Sequence, residues 1–473
     1  MSEVRKIAHN TAWQLGGKIF STALGLIAVA IMTRTLGVEK FGWYSTAVGF
    51  LQFIGIFTDF GFTVVTANML SEPAHDKKQL LNNLFTWRVI TALLTQGLAP
   101  LTIFFFPYPA AIKWAVVIMA FSFVSISLNQ VFVAYYQTKL AMHIQAIGEV
   151  IGRVVLVAGL ALAALGNYGF LPMMIAITVS SFAYTGYLWF RAEPLRFQIN
   201  SNISKAIYKK IWPVALAVVF NCFYLQGDRL ILPLFVSQTE VGLYGASYRV
   251  IDIVLAVSTM IIGILLPLIT FAYSRNLREK FVEQSQRAFD LMALFILPII
   301  AGALVLAEPI MRFVAGSDFS SSGKFLQIQI LTMVGISFGI VSGHINLAIN
   351  RQKSALWVYI VCAILSVIAY LIFIPKFGGF GAAWTRVGSE IFAGAGLTIA
   401  AGIFSGFWPR LGAFAKILIS SAVMGYAVYI IQPFNLFASI IIGIFVYSIL
   451  VLVFRVISKQ TLLEAFPFLN KLM

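Results

Sequence analysis

The chain has 473 residues, 60% of them hydrophobic and 11% charged, with a mean hydropathy of +0.92. That composition lies outside the range of soluble domains and marks a polytopic membrane protein. Lys and Arg number 33 against 17 Asp and Glu, a net charge of +16; with no nucleic-acid-binding motif beside it, this excess points to basic loops facing an anionic membrane surface.

A helix that crosses the roughly 30 Å hydrocarbon core needs about 20 mainly apolar residues, and about fourteen such runs follow one another. The first, 11–33, follows Arg5 and Lys6 and mimics a signal peptide, with Ala28-Val29-Ala30 as its cleavage site. Asn10, Gln14 and Lys18 make a poor start to such a peptide, so the run reads as a retained helix. Those three residues stand at successive i, i+4 steps with Ser21 following, a stripe expected to face an aqueous cavity. The second run, 42–66, sets Gln52, Asp59, Thr63 and Thr66 along one face. The third, 83–106, carries Arg88 toward its cytosolic side, and the fourth, 112–135, lines up Ser122, Ser125 and Asn129. In the fifth, 146–165, Glu149 and Arg153 have the i, i+4 spacing of an ion pair. The sixth, 171–190, completes a first bundle over 1–195.

A basic stretch around 191–210, with Arg191, Arg196, Lys205, Lys209 and Lys210, is the longest cytosolic segment; 196–210 reads as a linker. The sequon Asn202-Ile203-Ser204 falls there and reads as chance. The second bundle, 211–405, holds runs at 211–235, 245–271, 288–307, 326–349, 355–374 and 382–403. Its charges are Asp228 and Arg229, Arg249 and Asp252 at i, i+3, Asp290 at a helix start, and Arg386 with Glu390 at i, i+4. Pro233, Pro267 and Pro298 permit kinks, and Gly335, Gly339 and Gly343 form a small-residue face for helix packing. Runs at 414–431 and 438–456 and a tail make up 406–473. Most Lys and Arg fall in the segments on the N-terminal side, which predicts both termini in the cytosol. Outside loops are short, the largest near 308–325, leaving no room for a folded external domain.

The halves show a weak repeat. Phe41-Gly42-Trp43-Tyr44 opens the second run and Val241-Gly242-Leu243-Tyr244 the eighth; Tyr168-Gly169-Phe170 precedes the sixth and Phe380-Gly381 the twelfth. Equivalent placement in two six-helix halves is what duplication of a transporter leaves behind.

A charge at mid-membrane costs roughly 2.5–3.5 kcal/mol on insertion scales, so such residues pair or face water. Lys18, Arg88, Arg153, Arg229, Arg249 and Arg386 together would make a cationic cavity suited to phosphate or diphosphate. Asp59, Asp228 and Asp252, with Glu149 and Glu390, would either neutralise these cations or hold a coupling proton or sodium ion. Cys222 and Cys362 lie in apolar runs and read as small buried hydrophobes. His9, His75, His143 and His344 have no metal-ligand spacing, and there is no paired-carboxylate motif, so neither a cofactor nor an enzyme is expected.

The chain resembles the oligosaccharide-lipid flippases of O-antigen type, in the multidrug/oligosaccharidyl-lipid/polysaccharide exporter superfamily. The carriers are Asn10-Thr11-Ala12-Trp13, the segment 34–42 from Arg34-Thr35-Leu36-Gly37 to Phe41-Gly42, Asp59-Phe60-Gly61-Phe62, Gly227-Asp228-Arg229, Val241-Gly242-Leu243-Tyr244 and Tyr248-Arg249. The resemblance implies a monomeric carrier of a polyprenyl-diphosphate-linked oligosaccharide across the bacterial inner membrane, by alternating access of two bundles. Polysaccharide polymerase or assembly proteins are its possible partners. Arg229 and Arg249 are then the first candidates for the headgroup, followed by Lys18, Arg88 and Arg153, with Asn10 and Gln14 beside them. Many such proteins have twelve helices; a fourteen-helix plan also suits lipid II flippases, the near alternative. A multidrug antiporter of the same superfamily is disfavoured because cationic cargo would be repelled.

Overall fold

In the computed structural model, residues 3–71, 76–193, 195–431 and 435–456 are described. The tail beyond 456, His75, and the side chains of residues 3–9, Asn221 and Cys222 lie outside the described residues. Every regular element among the described residues is helical. They are α1 (Glu3–Asp59), α2 (Phe62–Ser71), α3 (Lys77–Ile103), α4 (Ala110–Thr138), α5 (Met142–Leu165), α6 (Phe170–Arg191) and α7 (Ser201–Phe235). After them come α8 (Gln238–Ser274), α9 (Arg278–Ala315), α10 (Ser322–Gln329), α11 (Thr332–Ala348), α12 (Gln352–Ser405), α13 (Leu411–Ile431) and α14 (Leu436–Val453).

Ten of these stretches are long and apolar enough to cross a membrane, and the chain is a multi-pass membrane protein. α1 bends at Gly37 (φ 71°) and α12 at Gly378 (φ 57°), so each crosses twice. Only glycine takes such backbone angles without a Cβ clash. α10 and α11 form one interrupted span. With α3 and α7 counted, the passes agree with the fourteen apolar runs of the sequence. Helix resumes at Ser201, with Asn200 capping the N–H groups of Asn202 and Ile203. The linker is therefore shorter than the basic stretch suggests, and Lys205, Lys209 and Lys210 stand on α7.

The chain divides into two compact units, one of residues 1–245, 314–318 and 370–379, the other of 246–313, 319–369 and 380–473. In the first, Phe85, Phe132, Tyr136, Leu188 and Ile207 join α3, α4, α6 and the start of α7. Residues 195–200 are laced to α3: Arg196 N–H donates to Asn82 Oδ1 (3.1 Å), Gln198 N–H to Thr86 Oγ1 (2.9 Å) and Asn200 N–H to Asn83 Oδ1 (2.6 Å). In the second unit, Ile269, Phe281, Phe289, Met292, Val341 and Ile345 form the core. Lipid offers helices no hydrophobic gain from contact, so close packing must supply it. Gly335 on α11 accordingly lies against the backbone of Glu390 and Gly394 on α12, and Gly339 against the Gly394 Cα. α14 is tied to α9 by Tyr447 Oη donating to the Leu294 carbonyl (2.8 Å) and presents Ile441, Ile444 and Phe445 outward.

Candidate functional site

The polar residues of the first unit gather around a broken helix. Phe60 (φ 40°) and Gly61 (φ 79°) both take left-handed angles and separate α1 from α2 directly after Asp59. A break inside a membrane helix leaves carbonyl groups that water cannot satisfy. Arg88 of α3 fills this need: its Nη1 donates to the Thr58 carbonyl (3.2 Å), Nε to the Ser127 carbonyl of α4 (3.0 Å) and Nη2 to Asp59 Oδ1 (2.9 Å). Nη2 also contacts Gln130, whose Oε1 accepts from Thr63 Oγ1 (2.8 Å), and the guanidinium lies 5.6 Å from the Phe62 ring centre. Arg88 is 1% exposed. Four of its five N–H groups are engaged inside the unit, so Arg88 and Asp59 together brace the helix break. Asp-Phe-Gly was legible as a motif, but nothing in the sequence tied Gln130 or Ser127 to Arg88.

On the stripe of α1, Asn10 is buried and its Oδ1 accepts the N–H of Met142 (2.7 Å), capping the start of α5. That is a correction to its place on a cavity wall. Gln14 is half-buried. Lys18 Nζ lies 3.4 Å from Glu149 Oε1 of α5, and Ser21 Oγ donates to the same oxygen (2.6 Å). The i, i+4 pair expected between Glu149 and Arg153 gives way to this cross-helix pair. α1 can approach α5 closely because Gly17 lies against Ala146. Arg153 is half-buried, its guanidinium 3.8 Å from the Cβ position of Gly25, and it makes no hydrogen bond or ion pair among the described residues.

On α7, Asp228 is fully buried: Oδ1 accepts the Arg229 N–H (2.9 Å) and Oδ2 the hydroxyl of Tyr244 (2.7 Å). The Arg229 guanidinium donates to Gln52 Oε1 of α1 (2.7 Å), at a point where Gly49 lets the two backbones meet. The repeat-related Gly42 and Gly242 lie against each other, Gly42 under the Gln238 carbonyl and Gly242 under that of Val38. Thr46 Oγ1 donates to Gln238 Oε1 (2.8 Å), and Glu240 Oε1 accepts the Gly379 N–H (2.6 Å) just past the bend at Gly378. Residues at corresponding places in the two sequence halves thus meet inside one unit.

In the second unit, Arg249 Nη1 lies 3.7 Å from Asp252 Oδ2, both partly exposed. Arg386 and Glu390 pair at 3.5 Å, both almost fully buried, with the guanidinium 4.6 Å from the Tyr248 ring centre. These i, i+3 and i, i+4 pairs match the sequence expectation; the Tyr248 contact was not foreseen. Cys362 is buried and free.

Residues 31–324 match the family described as polysaccharide biosynthesis protein. The chain belongs to that family. Among curated relatives, the probable low-salt glycan biosynthesis flippase Agl15 of Haloferax volcanii is 21% identical over 93% of this chain and 94% of its own length. The succinoglycan biosynthesis transport protein ExoT of Rhizobium meliloti is 22% identical over 69% and 66%. Among solved structures, the lipid II flippase MurJ in an inward closed conformation superposes with a TM-score of 0.80 at 18% identity, over 94% of this chain and 99% of that one. An inward-facing transporter of the multidrug resistance MATE family, in the MOP superfamily, gives 0.66 at 14% identity, over 81% and 94%. At these identities the structures establish a shared fold, and the resemblance drawn from the sequence agrees with the family.

For a member of the polysaccharide biosynthesis family, the useful distinction is between cations consumed by the fold and cations open to a ligand. Arg88 and Arg386 belong to the first group by burial and by their partners. In the first unit Arg153, half-buried, and Lys18, with 44% of its side chain exposed, are more accessible than Arg88. A half-buried guanidinium offers paired N–H donors in a plane that matches two phosphate oxygens.

Proposed function

We propose that the chain is a flippase that carries a polyprenyl-diphosphate-linked oligosaccharide, a surface-polysaccharide repeat unit, from the cytosolic to the outer leaflet of the cytoplasmic membrane. The observation that carries this reading is similarity to a glycan flippase over nearly the whole length of both chains, within a family of polysaccharide biosynthesis proteins. The charge pattern supports it: Lys18, Arg153 and Arg229, all in the first unit, would supply donors for a diphosphate, and Arg249 of the second unit is a separate candidate, while Asp59, Glu149 and Glu390 face partners that neutralise them. Asp252 and Asp228 are the acids assigned to charge pairing or ion coupling. Both termini lie in the cytosol in this reading, and transport proceeds by alternating access within one chain.

The fold is shared with a lipid II flippase and with drug transporters. Glycan-linked relatives favour an oligosaccharide headgroup, and the net basic charge of the candidate residues opposes a cationic drug. Depletion of the protein in its host is expected to trap lipid-linked oligosaccharide in the cytosolic leaflet, read as loss of accessibility to an external lectin at unchanged total amount. Unchanged external accessibility after depletion would contradict this function.

A further inference from the structure

The second unit contains a cavity of about 360 Å³ between α9, α11, α12 and the start of α13. That volume is within the range of small-ligand sites. Three aromatic rings wall it: Phe289 and Phe338 are stacked with centroids 5.6 Å apart, and Phe414 stands 5.7 Å from Phe338. Its floor exists because Gly335 and Gly394 let α11 and α12 touch backbone to backbone.

One end is polar. Gln286 donates through Nε2 to Asp290 Oδ1 (2.9 Å) and to the Arg410 carbonyl (3.1 Å), and its Oε1 accepts the Arg410 N–H (2.8 Å). Both hydrogens of that amide are therefore engaged, and the side chain is fixed. The Asp290 carboxylate takes this single hydrogen bond among the described residues, so a second oxygen remains to accept from a ligand. Arg410, in the α12–α13 connection, is exposed at the same end. α9 begins at Arg278, ahead of the apolar run from 288, so Asp290 and Phe289 stand at the start of that run.

We infer that this cavity binds the headgroup of a zwitterionic aminophospholipid of ethanolamine type, its ammonium between Asp290 and the rings and its phosphate toward Arg410. A carboxylate beside aromatic faces selects a compact cation with N–H donors. A guanidinium at the mouth supplies the opposite charge for the phosphate. The apolar walls take the start of the acyl chains, which lipid at this depth provides. The site is separate from the cations assigned to the transported diphosphate, so it survives or fails independently of that function.

The test uses the full chain, delipidated in detergent and titrated with short-chain phosphatidylethanolamine, phosphatidylglycerol or dodecylamine, with bound lipid read by native mass spectrometry and the thermal midpoint followed in parallel. Phosphatidylethanolamine is expected to bind at least about tenfold more tightly than phosphatidylglycerol, the margin that one charge pair with cation–π contacts supplies. Asp290→Asn should erase that preference, Arg410→Ala should weaken both lipids, and Ala395→Trp, which fills the cavity from an exposed position, should weaken all three ligands. Equal binding of the two lipids to the unmodified chain would overturn the assignment, as would a preference that persists in a folded Asp290→Asn protein. Dodecylamine bound at Asp290 with no lipid preference would overturn it in favour of a free amphiphilic amine.

Discussion

Removing the Arg88 side chain would strand the Thr58 carbonyl at the helix break, the Ser127 carbonyl and the Asp59 carboxylate together. Loss of one partner from a buried pair typically costs about 3–5 kcal/mol because the other charge stays buried. Arg88→Ala is thus expected to lower the thermal midpoint and the membrane abundance sharply. Arg88→Lys should rescue little, since a compact ammonium cannot span acceptors on both α1 and α4. A stable Arg88→Ala protein that fails only in transport would return this residue to the substrate site. Arg153 is predicted to behave in the opposite way: Arg153→Ala should change folding stability by no more than about 0.5 kcal/mol, as for substitutions away from packed networks, yet slow transport. Cys362, buried beside Ser366 and Ser389, should tolerate Ala with near-normal activity.

At the scale of elements, Gly42 and Gly242 hold α1 and α8 at backbone contact, and any Cβ at Gly42 would overlap the Gln238 carbonyl. Gly42→Leu is expected to part these helices and so to lower the thermal midpoint and the membrane abundance well below those of the unmodified chain. An unchanged midpoint in the Gly42→Leu protein would show that the contact does not depend on glycine. The existence, order and number of the spans were legible because a membrane imposes about 20 apolar residues on each crossing. Within one helix, ion pairs such as Arg249–Asp252 and Arg386–Glu390 were also legible, since helical geometry sets which side chains meet. Pairing between helices was not. Glu149 turned to Lys18 rather than Arg153, and Asn10 became a cap for α5, because the rotation and depth of neighbouring helices are set by packing that no local spacing encodes. The bends at Gly37 and Gly378 fall in the connections between runs 11–33 and 42–66 and between 355–374 and 382–403, so a break at each was legible, whereas helix continuing on both sides of a single glycine was not.

For the whole molecule, the proposed flippase function assigns the charges by burial: Arg88 and Arg386, almost fully buried, would hold the fold, while Arg153 and Lys18 would meet an anionic cargo.

The most direct measurement is movement of a labelled polyprenyl-diphosphate oligosaccharide across proteoliposomes, comparing the unmodified chain, the Arg153→Ala/Arg229→Ala double variant and protein-free vesicles. Protein-dependent transfer that the double variant loses while remaining folded is the expected result. Transfer no faster than in protein-free vesicles, with or without a proton or sodium gradient, would contradict lipid-linked oligosaccharide flipping by this chain.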